Sequence, residues 1–179
     1  MPAACRTIRQ AASMNGENDM TVCTIIMRDG SVMRFELFPD KAPITVASFA
    51  DCANSGFYDS LGWCRIVNGY VIQSGSPDND IMTDSHFHLI GEFAQNGRDT
   101  GLDHRRGAIS MARDDAFDTA GTQFFVVHRD AHKLDGRYAA FGYMLEGFDV
   151  LDRIAGVGTG GGQRHGATEL VTDLSQIGG

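Results

Sequence analysis

Short apolar runs separated by tight-turn dipeptides most limit what this chain can fold into. The stretch "TVCTIIMRDGSVMRFELF" has two β-rich runs around Asp29-Gly30, and "WCRIVNGYVIQSG" has two around Asn68-Gly69. Both dipeptides tolerate the positive φ angles that a two-residue hairpin turn requires. The chain is therefore predicted to be built from β-hairpins.

Only two segments carry a helical pattern. "KAPITVASFADCANSGFY" has an apolar helical stripe, with Pro43 near its start and Gly56 after its end, and a second helix is predicted from about Phe148 to Ala155. Further short strands are predicted in "GAISMA", "TQFFVVH", "YAAFGYML" and "ELVTDLSQI". About eight short strands that do not alternate with helices predict a mainly β fold, a closed eight-stranded antiparallel β-barrel capped by two α-helices.

The chain divides into a leader and one domain. Residues 1–19 are rich in Ala, Asn, Ser and Gly and lack the apolar stretch of a signal peptide, so we interpret them as a flexible N-terminal leader, with Met20 as an alternative start. Residues 20–179 are predicted to form a single domain.

Charge and cysteine spacing limit the possible partners. The formal net charge of −8 argues against nucleic acid and against an anionic membrane surface, and no run approaches the 18 apolar residues of a membrane span. The four cysteines show no CxxC spacing, which favours free thiols in a reducing compartment. We therefore expect a cytoplasmic protein, and a monomer because no feature indicates a partner chain.

Arg65 is the least expected residue of the hairpin around Asn68-Gly69. It shares one strand face with Val67, while the apolar Cys64 and Ile66 share the other. Either Arg65 lies on the outer surface of the barrel, or it lies in a groove where its fixed fork of five donors can be aimed at a bound amide.

Other polar residues allow more than one interpretation. Gln73 ends one apolar strand and Gln123 begins another, so each amide either serves a site or pairs with loop backbone. The thiol of Cys64 is either activated by the neighbouring Arg65 cation or is simply a small buried apolar group. His86 and His88 lack a third ligand at a usual spacing, so neither a metal nor a cofactor is predicted.

Five segments, in order, resemble the cyclophilin-type peptidyl-prolyl cis-trans isomerases, and the bacterial members in particular. The resemblance runs from about Val22 to Ala155, over most of the chain. The segments are "FELFPDKAPITVASFADCANSGFYD", "WCRIVNGYVIQSGSP", "GEFAQNG", "HRRGAISMARDDAFDTAGTQFFV" and "LDGRYAAFGYMLEGFDVLDRIA". The resemblance implies catalysed rotation about X–Pro peptide bonds, and proline-containing peptides and the loops or unfolded segments of client proteins as partners.

The resemblance also implies roles for particular residues. Arg65 is expected to be catalytic, and Gln73 to position it and to contact the substrate backbone. The remaining expected substrate contacts are Tyr70, Val71, Phe125 and Leu134 in a proline pocket, Ala112, Arg113 and Gln123 along the groove before the proline, and Tyr138 and Cys64 beside them.

Two departures from the family pattern leave alternatives open. Cys64 stands where the signature usually has histidine, and Lys133 stands where cyclosporin-sensitive members have tryptophan, which argues against tight cyclosporin binding. A proline-peptide binding module with little or no catalysis is therefore the alternative function, and redox control through Cys64 is a third hypothesis.

Overall fold

The computed structural model describes residues 4–9 and 20–157, which contain eight strands and two α-helices. The strands are β1 Ala4–Arg9, β2 Thr21–Ile26, β3 Val32–Leu37, β4 Arg65–Val67, β5 Val71–Ser74, β6 Ala108–Met111, β7 Phe124–Val127 and β8 Ala140–Glu146. The helices are α1 Pro43–Asn54 and α2 Phe148–Ala155, and short 3-10 turns cover Ala94–Asn96 and His132–Leu134.

All strand pairs are antiparallel, and the sheet runs in the order β1-β2-β3-β8-β6-β7-β5-β4. The prediction of a mainly β fold with two helices is confirmed. Closure into a barrel is not confirmed, because no pairing within residues 4–9 and 20–157 joins β4 to β1. The strand predicted in "ELVTDLSQI" lies outside the described residues.

One strand lies where none was predicted. Ala4–Arg9 pairs with Thr21–Ile26 at the edge of the sheet, within the segment expected to be a leader. The division into a leader over residues 1–19 and a domain over residues 20–179 stays a prediction. Within residues 4–9 and 20–157, no helix is both long and apolar enough to cross a bilayer.

Both predicted hairpins are confirmed. Asp29-Gly30 joins β2 to β3 and Asn68-Gly69 joins β4 to β5. Of each dipeptide only the glycine takes a positive φ, +85° at Gly30 and +78° at Gly69, the left-handed conformation in which a residue without Cβ is not strained. The expected two-residue turn is not formed; residues 27–31 connect β2 to β3 and residues 68–70 connect β4 to β5.

Helix α1 begins at Pro43, as its sequence indicates, but its cap comes from a distant residue. Ala42 provides no side-chain cap. Instead the buried Glu92 carboxylate accepts from the Ile44 amide at 3.1 Å, the Thr45 amide at 2.8 Å and the Thr45 hydroxyl at 2.7 Å. A carboxylate there satisfies amides that have no partner within the helix and complements its dipole.

Alternate residues of the central strands face two separate apolar clusters. On β7, Phe124 and Val126 belong to the main core between the sheet and α1, whereas Phe125 and Val127 belong to a smaller cluster on the other face. This explains why β7 is apolar throughout instead of alternating. The smaller cluster forms the apolar wall of the candidate site.

Candidate active site

Strand register places the predicted polar residues side by side. Arg65 on β4 pairs with Gln73 on β5, and Gln73 in turn pairs with Phe125 on β7. Directly paired residues in a sheet point to the same face, so all three side chains face the smaller apolar cluster. Arg65 therefore lies in a groove, and the alternative of an outer-surface arginine is wrong.

A relay of hydrogen bonds connects these side chains. Arg65 Nη1 donates to Gln73 Oε1 at 3.3 Å, and Gln73 Nε2 donates to Gln123 Oε1 at 2.9 Å. Gln123 Nε2 then donates to the backbone oxygens of Ile81 at 3.3 Å and Thr83 at 3.1 Å. The interpretation that the amide pairs with loop backbone is thus correct for Gln123 and wrong for Gln73. The Gln73 amide instead links Arg65 to Gln123, the residue before β7.

The Arg65 guanidinium keeps unused donors. It has five N–H groups, and the bond to Gln73 uses one of them. Within residues 20–157 it forms no ion pair, and it lines a cavity of about 930 Å³. The half-buried cation can therefore donate to a molecule bound in this cavity.

Apolar side chains form the wall beside the guanidinium. Phe125 is 5% exposed, and its ring meets the Tyr138 ring edge to face with centroids 5.8 Å apart. Tyr70, Val71 and Leu134 complete this wall. The wall can hold a small apolar ring next to a fixed positive charge.

The structure brings together every predicted site residue except Cys64. The predicted residues that line the cavity are Arg65, Gln73, Tyr70, Val71, Ala112, Arg113, Gln123, Phe125, Leu134 and Tyr138. Cys64 does not line it; the residue is 4% exposed and its thiol donates to the backbone oxygen of Gln73 at 3.4 Å.

The thiol of Cys64 is not activated. Burial raises its pKa to about 11 and outweighs the opposing effect of Arg65. The hypothesis of an Arg65-activated thiol is therefore wrong, and the alternative of a buried, small apolar side chain is correct.

Arg113 organises the loop that follows β6. Its Nε donates to the Arg137 backbone oxygen at 2.9 Å, and its Nη1 donates to the backbone oxygen of Asp114 at 2.7 Å and of Asp115 at 3.2 Å. The guanidinium also lies 4.7 Å from the Tyr138 ring centroid. Through the bonds from its Nε and Nη1, Arg113 fixes the edge of the cavity.

Sequence analysis missed the histidine behind the apolar wall. His104 is fully buried and its ring stacks on Phe125 with centroids 6.0 Å apart. Its Nδ1 lies 2.9 Å from Asp135 Oδ1 and its Nε2 lies 2.9 Å from Ser110 Oγ, and burial lowers the pKa of the imidazole. Hydrogen bonds on both sides hold the ring flat against Phe125. No local pattern around His104 indicates this contact.

Other cavity-lining residues also went unpredicted. The segment 81–85 lies over Gln123, and Lys133 places its Nζ 4.3 Å from the Tyr70 ring centroid. The length and polarity of the loops around residues 81 and 114 indicate only that they could be functional. Lys133 thus lies at the cavity, and its effect on cyclosporin binding stays a prediction.

His86 and His88 are the histidines whose spacing was considered for a metal site. His88 Nε2 lies 2.8 Å from Asp84 Oδ1. In the part of the chain that the structure describes, no three His, Cys, Asp or Glu side chains are grouped so that they could hold an ion.

Comparisons with known proteins agree with this geometry. The family model for cyclophilin type peptidyl-prolyl cis-trans isomerases matches residues 22–174. Peptidyl-prolyl cis-trans isomerase B of Bacillus subtilis is 37% identical over 130 residues, which cover 73% of this chain and 87% of that one. Peptidyl-prolyl cis-trans isomerase B of Escherichia coli is 36% identical over 136 residues, which cover 72% and 80%.

Solved structures of one cyclophilin-type isomerase, from Cryptosporidium parvum, share the fold. One superimposes with a TM-score of 0.69 at 26% identity, covering 76% of this chain and 85% of that one. Another, in the presence of the dipeptide Ala-Pro, gives a TM-score of 0.67 at 28% identity, covering 75% and 84%.

Proposed function

The chain belongs to the cyclophilin-type peptidyl-prolyl cis-trans isomerases, and we propose that it accelerates rotation about X–Pro peptide bonds with Arg65 as the catalytic cation. The strand register carries this proposal, because it sets Arg65 and Phe125 on the two sides of Gln73, with all three on one face of the sheet. A donor-rich cation next to an apolar wall suits a proline ring and the amide attached to it.

The reaction needs electrostatic stabilisation and no bond making or breaking. Rotation of a peptide bond crosses a barrier of about 18–20 kcal/mol, because resonance stiffens the amide. In the twisted state that resonance is lost and the prolyl nitrogen gains a lone pair. A guanidinium N–H aimed at that nitrogen, or at the neighbouring carbonyl, binds the twisted state more strongly than either planar state, which lowers the barrier.

The other cavity residues hold the substrate in place for this step. Tyr70, Val71, Phe125 and Leu134 enclose the proline ring, and Tyr138 closes the side of the pocket. Gln73 fixes the Arg65 guanidinium through its 3.3 Å contact and contributes to substrate binding. Ala112, Arg113 and Gln123 line the path of the residues before the proline, while Cys64 supports the site from outside the cavity.

Two finer features belong to the same proposal. The sheet closes into an eight-stranded barrel, since an unpaired edge is otherwise a site of aggregation. The protein acts as a cytoplasmic monomer on loops and unfolded segments of other proteins, and so assists folding.

Exchange spectroscopy on a blocked Ala-Pro peptide tests the catalytic role of Arg65. Because removing one preorganised donor costs about 10²–10³-fold in rate, Arg65→Ala should slow the catalysed exchange by about that factor and leave the circular dichroism spectrum unchanged. Arg98→Ala, at an exposed arginine outside the cavity, is the matched control and should retain full turnover.

The alternative of a binding module gives a different result in the same experiment. A wild-type protein that shifts the peptide resonances without faster exchange would be a proline-peptide binder. Equal turnover in Arg65→Ala and wild type would reject Arg65 as the catalytic cation.

A further inference from the structure

We infer that His128, which lies outside the cavity, is a positioning residue whose Nδ1 acceptor holds the Tyr70 wall of the site in place. The inference rests on the proposed function, since it concerns the same cavity. His128 is the residue directly after β7, and it is buried, with 5% of its surface exposed.

The partners of His128 fix its tautomer. The Gly69 amide donates to Nδ1 at 2.9 Å, so Nδ1 carries a lone pair. Nε2 lies 3.0 Å from Asp152 Oδ1 on α2. Asp152 also receives two hydrogen bonds from Arg106, which hold the pKa of its carboxyl below the usual range. A carboxylate only accepts, so Nε2 carries the proton.

His128 binds the turn of the catalytic hairpin at two points. The first is the bond from the Gly69 amide to the His128 ring. The second is a backbone bond, in which the His128 amide donates to the Tyr70 oxygen at 2.8 Å. The residues it holds connect Arg65 on β4 to Val71 on β5. Tyr70 lines the cavity itself. The position of the Tyr70 wall therefore depends on the contacts of a residue that does not line the cavity.

Loss of the Nδ1 acceptor removes one of these two points. The Gly69 N–H then loses its side-chain partner, while the backbone bond between His128 and Tyr70 remains. The charged groups that contact His128 are Asp152 on α2 and Arg106 before β6, while the hairpin contributes only backbone groups. The Tyr70 wall then loses one of its supports, and the site loses affinity for the proline ring.

Paired variants separate this role from a merely structural one. His128→Asn places an acceptor oxygen where Nδ1 lies, whereas His128→Leu leaves the Gly69 amide without that partner. Since one net hydrogen bond is worth about fivefold in an equilibrium, kcat/KM for a blocked Ala-Pro peptide should fall about fivefold in His128→Leu. His128→Asn keeps the acceptor and should retain most of the wild-type value.

A measurement without substrate makes the test independent of the proposed function. The NMR shifts of the Gly69 amide and the Tyr70 ring should change in His128→Leu and stay close to those of wild type in His128→Asn. If wild type shows no turnover, the proposed function fails, and these shifts still decide the positioning role.

The other histidine network at the wall supplies the control. His132 and His104 both contact Asp135 behind Phe125. If His132→Asn shifts the Tyr70 ring resonances as much as His128→Leu does, the positioning role of His128 is overturned. It is overturned equally if the Tyr70 ring shifts of His128→Leu match those of wild type.

Discussion

Replacing the Gln73 amide by a carboxylate tests whether the unused donors of Arg65 drive the reaction. Arg65 Nη1 lies 3.3 Å from Gln73 Oε1. At that separation two unit charges interact by about 5 kcal/mol at an effective dielectric constant of ~20. The neutral hydrogen bond that the ion pair replaces is worth about 1 kcal/mol. In Gln73→Glu the carboxylate should therefore hold the guanidinium in a two-pronged ion pair and withdraw its donors from the substrate.

The expected result is a loss of rate without a comparable loss of binding. Gln73→Glu is nearly isosteric and leaves the apolar wall of Phe125 and Tyr70 intact, so peptide affinity should fall only by the contribution of the Gln73 amide. Turnover should fall about 100-fold, the cost of removing a preorganised donor from the transition state. Exchange spectroscopy on a blocked Ala-Pro peptide measures the rate, and a shift titration with the same peptide measures the affinity.

Gln73→Met is the matched control. Both variants lose the donation from Gln73 to Gln123, so their difference isolates the added charge. Gln73→Met leaves Arg65 mispositioned but free, and we expect about a tenfold loss, the size of one or two hydrogen bonds. Full activity in Gln73→Glu, or a slower rate in Gln73→Met than in Gln73→Glu, would refute the reasoning.

Two further predictions concern stability and thiol reactivity. Burial lowers the pKa of His104 below its ordinary value of 6.5, so below that pH the unfolded chain binds a proton that the folded chain does not. Urea unfolding should thus give a lower free energy of unfolding at about pH 5.5 than at about pH 8, although His132, whose pKa is raised by Asp135, acts in the opposite direction. His104→Gln cannot titrate and should show a smaller fall, and an equal fall would contradict the assignment. Cys64, buried and with a pKa of about 11, should resist alkylation by iodoacetamide in the folded protein and react in urea; peptide mass spectrometry measures this, and rapid labelling of the folded protein would contradict it.

The hairpins and the strand face of Arg65 depend on neighbouring residues alone, and both were predicted from the sequence. Asp29-Gly30 and Asn68-Gly69 require turns whatever surrounds them, and both join hairpins. The period of two along β4 correctly placed Arg65 and Val67 on one face, opposite Ile66. Because the motif around Arg65 also resembles a known family, most of the cavity lining could be named from the sequence.

Contacts between distant segments could not be predicted in this way. Glu92, which caps α1, lies 47 residues after Thr45 in the sequence. Asp135, which contacts His104, lies 31 residues after it. Neither contact leaves a periodic signal, because each depends on where two loops meet after the sheet has formed. Only the three-dimensional arrangement identifies them.

The error about Cys64 has a definite physical origin. Adjacent residues in an extended chain point to opposite faces, so Cys64 is next to Arg65 in sequence while its thiol lies away from the cavity that Arg65 lines. Proximity along the chain was taken for proximity of the two side chains. Burial of the thiol then decides its pKa, and the neighbouring charge contributes little.

The same geometry determines how pH can act on this site. An arginine keeps its charge throughout the range of protein stability, and the rotation transfers no proton to or from the substrate. Histidine is the side chain that ordinarily titrates between about pH 5 and pH 8, and among the described residues no histidine lines the cavity. A pH dependence of turnover in that range is therefore expected from residues that support the walls. His104 stacks on Phe125 and its pKa is lowered by burial, so a pH profile of this protein measures the integrity of its scaffold and not the ionisation of its catalytic group.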